Sequence, residues 1–292
     1  PRTFARTPEG ELMDARHFLT LIKVRITALV TLTAMAGYGL APDPKWGAPF
    51  ISVALGVFLI TAGASAVNMF MERRTDALMN RTRMRPLPLN ILTPRAALAL
   101  GALASILGLL VLLPLGLLPT GIAALSWILY ILVYTPLKAK TSLNTVVGAI
   151  PGALPPLIGW TATGAPLSML AFIPFLMMFV WQVPHFLALA WMYRDDYEMG
   201  GLQMLTVEDK DGGMVGRQAV LYAVCLIPIT AAPLLGGKAS LPGTLLGIAL
   251  SLVFIGFAAR FALNRNRKTA ASLFGVSLLY LPIAFGLMFM SF

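Results

Sequence analysis

Apolar residues in this chain come in runs of roughly 20, separated by short polar links. That is the length a helix needs to cross the hydrocarbon layer of a bilayer, and no soluble fold calls for it repeatedly. The runs predict helices over 18–41, 48–71, 95–113, 117–135, 143–162, 168–192, 217–235, 241–260 and 270–291. Nine spans place successive links on alternate sides. The links at Pro42 to Gly47, Pro114 to Gly116, Thr163 to Pro166 and Gly236 to Pro242 are short and rich in Gly and Pro, as turns are. The links after the second and sixth spans are long, and they hold eight of the 12 Asp and Glu. The expected fold class is all-α, a polytopic membrane protein of about nine transmembrane helices in one bundle around a lipid-accessible central cavity. One transmembrane domain is expected over 1–292, with an N-terminal arm over 1–16.

Composition agrees with that pattern and adds an orientation. The 292 residues are 58% hydrophobic and 12% charged, about half the charged fraction of a soluble domain. Of the 22 Lys and Arg, only Lys45 and Lys238 fall on the side of the short turns. The positive-inside rule therefore predicts a cytoplasmic N-terminus and an external C-terminus. The net charge of +10 is mostly this topology signal. It does not point to nucleic acid, because no basic stretch is interleaved with base-stacking aromatics on a soluble face. A single cysteine, Cys225, lies in an apolar run and reads as packing, and no intramolecular disulfide is possible. No small-residue cleavage site follows the first apolar run, so no signal peptide is expected.

Chemistry gathers on the basic side. At the end of the second span, Asn68, Glu72 and Asp76 recur every four residues, which keeps three oxygen-bearing side chains near one helical face at the membrane boundary. Hard cations such as Mg²⁺ take such oxygens and bridge to phosphates. Arg81, Arg83 and Arg85 follow directly and offer guanidinium forks suited to phosphate oxygens. Together these features read as a metal and diphosphate site. The plainer alternative is a solvated helix end followed by topology-setting arginines, although an amide inside the apolar stretch, Asn68, is expensive without a partner.

A second group lies at the end of the sixth span. His185 and Asp196 are eleven residues apart, nearly three turns and about 16 Å if the helix is continuous, so the imidazole is expected deeper in the bilayer beneath the acid. A buried His reads equally as a functional group and as a structural residue bonded to a neighbouring helix. Asp195 and Asp196 are candidates for a second cation site, or for a helix-end cluster neutralised by Arg194. Between the fourth and fifth spans, Lys138, Lys140 and Asn144 bring two ammonium groups and an amide to the same side. They read either as the closing wall of a diphosphate pocket or as positive-inside lysines beside a helix cap. Gly148, Pro151, Gly152, Pro155 and Pro156 predict a kinked, closely packed fifth span.

Asn68, Glu72 and Asp76 followed by Asn80-Arg81-Thr82 and Arg85-Pro86 resemble the first acidic motif of the UbiA-type intramembrane prenyltransferases. Tyr134 to Lys138 resembles their basic link. Lys23-Val24-Arg25, the run from Thr141 to Trp160, and Pro184-His185-Phe186 leading to Arg194-Asp195-Asp196-Tyr197 are similar to the protohaem IX farnesyltransferase branch of that family. The likeness runs from the first span to the seventh. Departures are Glu72 where aspartate is usual, Arg74 where an acid is common, Val24 where proline is frequent, and a reduced second acidic motif in which Asp196 is the firmer acid.

The resemblance implies farnesyl transfer from farnesyl diphosphate to a vinyl group of haem B, with Mg²⁺ as cofactor, in a bacterial cytoplasmic membrane. Metal ligands would be Asn68, Glu72, Asp76, Asp195 and Asp196, with Asn68, Glu72, Asp76 and Asp196 catalytic. Arg25, Arg81, Arg85, Lys138, Lys140, Asn144, His185 and Asp195 would bind substrate. Implied partners are the lipid bilayer and a downstream haem-modifying enzyme or oxidase assembly. Phe70, Trp181, Phe186 and Trp191 are candidate π faces for a cationic intermediate. The competing readings are a prenyltransferase for a quinone precursor or a chlorin, and a secondary transporter. The latter usually shows two related halves and midplane polar sites, whereas the acids here crowd one rim.

Overall fold

In lipid every backbone amide must find its partner within its own segment, so long apolar runs close into helices. The structure, a computed structural model, describes residues 14–291, and these contain helices and no strand. The arm expected over 1–16 lies almost wholly outside the described residues.

The expected spans are present among the described residues as eight long apolar helices and one bent pair. That pair is α1 (Ala15–Leu21) and α2 (Val24–Leu40), which meet at 52° where an unbroken span was expected. Lys23 stands at the break in left-handed conformation. The second span, α3 (Ala48–Asp76), runs five residues past its expected end at 71. At 29 residues it is about 44 Å long, well beyond a hydrocarbon layer of about 30 Å, so its last turns stand clear of the apolar slab. Arg73 and Arg74 in the final turn complement the negative end of its dipole.

The third span is α4 (Pro94–Leu112). The fourth is α5 (Leu117–Ile128), which widens into a π-helical stretch at Leu129–Tyr134 before a last turn, α6 (Thr135–Leu137). The fifth span breaks into α7 (Asn144–Ala153) and α8 (Pro155–Ala162), since Pro155 and Pro156 have no N–H to continue the ladder. The carbonyl of Pro151, left free by Pro155, accepts from Ser126 Oγ at 3.0 Å.

The sixth span, α9 (Met169–Met192), stops at Tyr193, and Arg194 starts a separate short helix, α10 (Arg194–Met199). His185 and Asp196 are therefore not on one continuous helix, which corrects the expected stacking of the two. The same link holds α11 (Leu205–Glu208). The chain ends with α12 (Gly213–Val224) and α13 (Leu226–Leu235), then α14 (Leu241–Asn264) and α15 (Arg267–Ser291).

Small residues let the helices meet where lipid supplies no hydrophobic drive between them. Gly56 and Gly63 of α3 lie against Gly101, Ser105 and Gly108 of α4. Gly159 of α8 lies against the Ala34 carbonyl of α2, and Gly37 against the backbone of Pro156. The helices thus form two lobes, α2 to α5 with α8, and α9 with α12 to α15, joined mainly through α7 and α9. Leu29, Leu32, Leu103, Leu110, Leu252 and Leu279 remain exposed around the waist, as lipid-facing residues do.

Candidate active site

The extended end of α3 carries Asn68, Glu72 and Asp76 into a basic nest, and each oxygen donor meets one cation. Lys23 Nζ donates to Asn68 Oδ1 at 2.6 Å, Lys138 Nζ to Glu72 Oε1 at 2.7 Å, and Arg85 to Asp76 Oδ2 at 2.7 Å. Asn68 and Asp76 are fully buried, and the Glu72 side chain is 14% exposed. Charges so enclosed persist only when paired and hydrogen-bonded. One fully buried oxygen of the row has no such partner. Asp76 Oδ1 is buried without a hydrogen bond.

Neighbouring elements fix these groups in place. The Asn68 amide donates to Thr135 Oγ1 at 3.1 Å. Thr135 in turn gives its hydroxyl and its N–H to the Tyr130 carbonyl in the π-helical stretch. That wider turn presents Tyr134, whose ring lies 4.6 Å from the Lys138 ammonium. Burial works against charge on Lys138, yet the Glu72 carboxylate and the phenols of Tyr134 and Tyr130 hold it above the usual lysine value. Lys138 therefore stays cationic. Asn144, also fully buried, donates to the carbonyls of Thr141 and Gln203, each at 2.7 Å. The Gln203 N–H donates to the Lys138 carbonyl at 2.7 Å, so the fourth and sixth links are laced together behind the ammonium.

The second acidic group is arranged differently. Asp196 accepts the backbone N–H groups of Asn80 at 3.2 Å and Arg81 at 3.1 Å. The Arg81 guanidinium lies over the rings of Tyr193 and Tyr197, at 5.1 and 5.9 Å. Asp196 and Arg81 thus clasp the α3–α4 link to α10. Asp195 is 88% exposed and lies 3.5 Å from Arg194. Arg25 and Lys140 are exposed, and neither has an ion-pair partner among the described residues. His185 is farther off, between α9 and α15. Its Nδ1 shares a hydrogen bond of 2.7 Å with Ser277 Oγ, and its ring stacks between Trp181 at 5.0 Å and Phe274 at 4.7 Å. Of the aromatics expected to face a cation, Phe70 takes the Arg73 guanidinium at 4.5 Å, and Trp191 packs on Phe261 and Arg194.

The structure therefore brings Asn68, Glu72, Asp76, Arg85 and Lys138 together and sets Asp195, Arg25 and Lys140 apart. It adds Lys23, which sequence reasoning passed over in favour of Arg25. A signal was present, since a lysine flanked by apolar residues near the start of a span is costly unless it meets a partner. Among the described residues no group of three or more His, Cys, Asp or Glu converges as a metal cage. What the site offers is two carboxylates, one amide and an orphaned carboxylate oxygen, a hard donor set of the kind that holds a divalent cation jointly with water and phosphate.

The profile of the UbiA prenyltransferase family matches residues 28–292. A protein of Solibacter usitatus named protoheme IX farnesyltransferase is 40% identical over 287 residues, covering 94% of this chain and 97% of its own length. One of the same name from Salinibacter ruber is 38% identical over 270 residues, covering 91% of this chain and 94% of its own. Among solved structures, a study of digeranylgeranylglyceryl phosphate synthase matches with a TM-score of 0.78 at 18% identity, over 94% of this chain and 97% of that one. A UbiA homologue from Archaeoglobus fulgidus bound to GPP and Mg²⁺ matches with a TM-score of 0.69 at 15% identity, over 93% of this chain and 99% of that one. These two likenesses concern the fold alone.

Proposed function

The chain belongs to the UbiA prenyltransferase family, and from that premise we propose that it transfers the farnesyl group of farnesyl diphosphate to haem B, giving haem O and diphosphate. Curated relatives at 34 to 40% identity over most of the chain carry the matching name. In the reaction the allylic carbon–oxygen bond to diphosphate breaks, and the farnesyl carbon bonds to the terminal carbon of a vinyl group. Water then adds to the other vinyl carbon, with release of a proton. A divalent cation, Mg²⁺ in this reading, supplies charge neutralisation for the departing diphosphate.

The rest falls to the chain's own residues. Asn68, Glu72 and Asp76 would hold the cation, and Arg85 and Lys138, now on Asp76 and Glu72, would turn to the diphosphate oxygens, where charge develops as the bond breaks. Tyr134 and the apolar walls of α3 and α5 shield the allylic cation from stray water. Asp196 positions Arg81 and the α3–α4 link rather than touching the reacting atoms. His185, whose Nε2 has no hydrogen-bond partner among the described residues, faces the porphyrin. The excess of Lys and Arg at the site's end of the bundle supports a cytoplasmic position for that end.

The observation that carries the reading is the row of three oxygen donors, each countered by a cation, with Asp76 Oδ1 unsatisfied. Purified protein given haem B, farnesyl diphosphate and Mg²⁺ should yield haem O by mass spectrometry, and EDTA should abolish it. Prenylation of a quinone precursor or a chlorin in place of haem would move the acceptor assignment, and full turnover in EDTA would remove the metal. The transporter alternative loses its ground, because the family is one of prenyltransferases and the acids sit at one rim.

A further inference from the structure

The first span bends where its apolar run predicts a straight helix. Lys23 at the bend has φ 47° and ψ 52°, a region that side chains other than Asn, Asp and Gly rarely adopt. Its neighbours are Leu21, Ile22 and Val24, so neither Gly nor Pro at the break requires the turn. Strain of this kind persists when the surroundings hold it in place. Here the bend delivers the Lys23 ammonium to Asn68 Oδ1 at 2.6 Å. The amide cannot turn away, because its nitrogen is tied to Thr135.

Asn68 Oδ1 is one of the oxygens assigned above to the divalent cation, and the present inference rests on that assignment. An ammonium on that oxygen stands within about 4 Å of any ion bound there, where two like charges repel strongly at low dielectric. Lys23 also has the weakest hold of the three cations, since Arg85 and Lys138 grip carboxylates and Lys23 only a neutral amide.

We propose that Lys23 is a placeholder cation. It occupies Asn68 while the site lacks its ion, and on loading it swings from the amide to the incoming diphosphate, with the α1–α2 break as the hinge. An ammonium suits both positions, having three donors and no acceptor on a flexible stem. Lys23 thus links ion entry to diphosphate capture, a positioning role that the carboxylate-bound cations do not share.

The test measures two affinities that should shift in opposite directions. Mn²⁺ binding is read by electron paramagnetic resonance without diphosphate, and farnesyl diphosphate binding is read at saturating Mn²⁺, for wild type, Lys23→Met and Lys23→Gly. Removing the competitor should tighten Mn²⁺ about tenfold, and loss of a charged donor should weaken farnesyl diphosphate by roughly 10-fold to 100-fold. Lys23→Gly, which relieves the left-handed backbone, should show the same two shifts. A merely structural lysine would move both affinities the same way. Mn²⁺ binding no tighter in Lys23→Met, or wild-type diphosphate affinity in Lys23→Gly, overturns the proposal alone. If wild type takes up no Mn²⁺ while still making product, the cation site itself is wrong and the placeholder goes with it.

Discussion

Asn68, Glu72 and Asp76 on α3 and Asp195 and Asp196 on α10 are both rows of oxygen donors at one end of the bundle, but the first is enclosed and the second is not. On α3 every donor is met by a basic side chain from outside the helix, and one fully buried oxygen, Asp76 Oδ1, is left without a hydrogen bond. On α10 the firmer acid spends both oxygens on backbone N–H groups, and the weaker one points outward. Burial makes the difference. A carboxylate out of water needs a counter-charge that a ligand or an ion can exchange, whereas the half-buried Asp196 settles on the nearest free amides. In the function proposed above, the first row is chemical and the second architectural.

The largest expected effect tests the enclosed row. Asp76→Asn or Glu72→Gln should lower haem O formation by roughly 100-fold or more, because the cation that neutralises the leaving group loses a charged ligand. Farnesyl diphosphate turnover near wild type in either variant would erase the contrast. Next, Arg85→Ala or Lys138→Ala should weaken farnesyl diphosphate binding by about 1.5–3 kcal/mol, the scale of a charged hydrogen bond, with haem binding unchanged. A loss confined to haem affinity would mean that these groups meet propionates instead.

His185 belongs to neither row and lies within the lobe of α9 and α12 to α15, where it meets α15. Its imidazole, already bonded to Ser277 and stacked on two rings, should report haem through a Soret shift that His185→Ala abolishes, with farnesyl diphosphate binding intact. An unchanged spectrum and normal rate would make it a packing residue between α9 and α15. The smallest effects fall on α10. Asp196→Ala should cost about 1–2 kcal/mol locally, the scale of a lost helix-cap contact, seen as faster amide exchange at Asn80 and Arg81 and a modest loss of activity. Asp195→Asn should stay within about 0.5 kcal/mol of wild type in stability, with activity to match. If Asp195→Asn were instead as damaging as Asp76→Asn, the division between the two rows would fail.

Much of this was legible in the linear pattern. The spans, the acidic spacing of four and the basic side each rest on local rules: a run long enough for lipid, a turn of 3.6 residues, a bias in Lys and Arg. The kinked fifth span announced itself through Pro155 and Pro156. Where the pattern misled, a non-local contact had the stronger claim. Apolar flanks mark both Lys23 and Arg25 as costly without a partner, and only the bend at Lys23 decides that it is the one turned to Asn68. The continuous helix expected from His185 to Asp196 ends at Tyr193, where Arg81 and Asp196 pull the chain towards the α3–α4 link.

By itself, then, the sequence determined the membrane class, the layout of spans and the end of the molecule at which chemistry gathers, because apolar length and charge bias act on each segment independently of its neighbours. Only the tertiary structure decided which cation stands on which oxygen, that Asp76 keeps an oxygen unsatisfied, and that Asp196 serves the backbone. Apart from Arg85 with Asp76, 9 positions apart, those pairings join residues 45 to 116 positions apart. They depend on small-residue helix contacts bringing α3, the α5 extension and α10 to one rim, and no single segment encodes that placement.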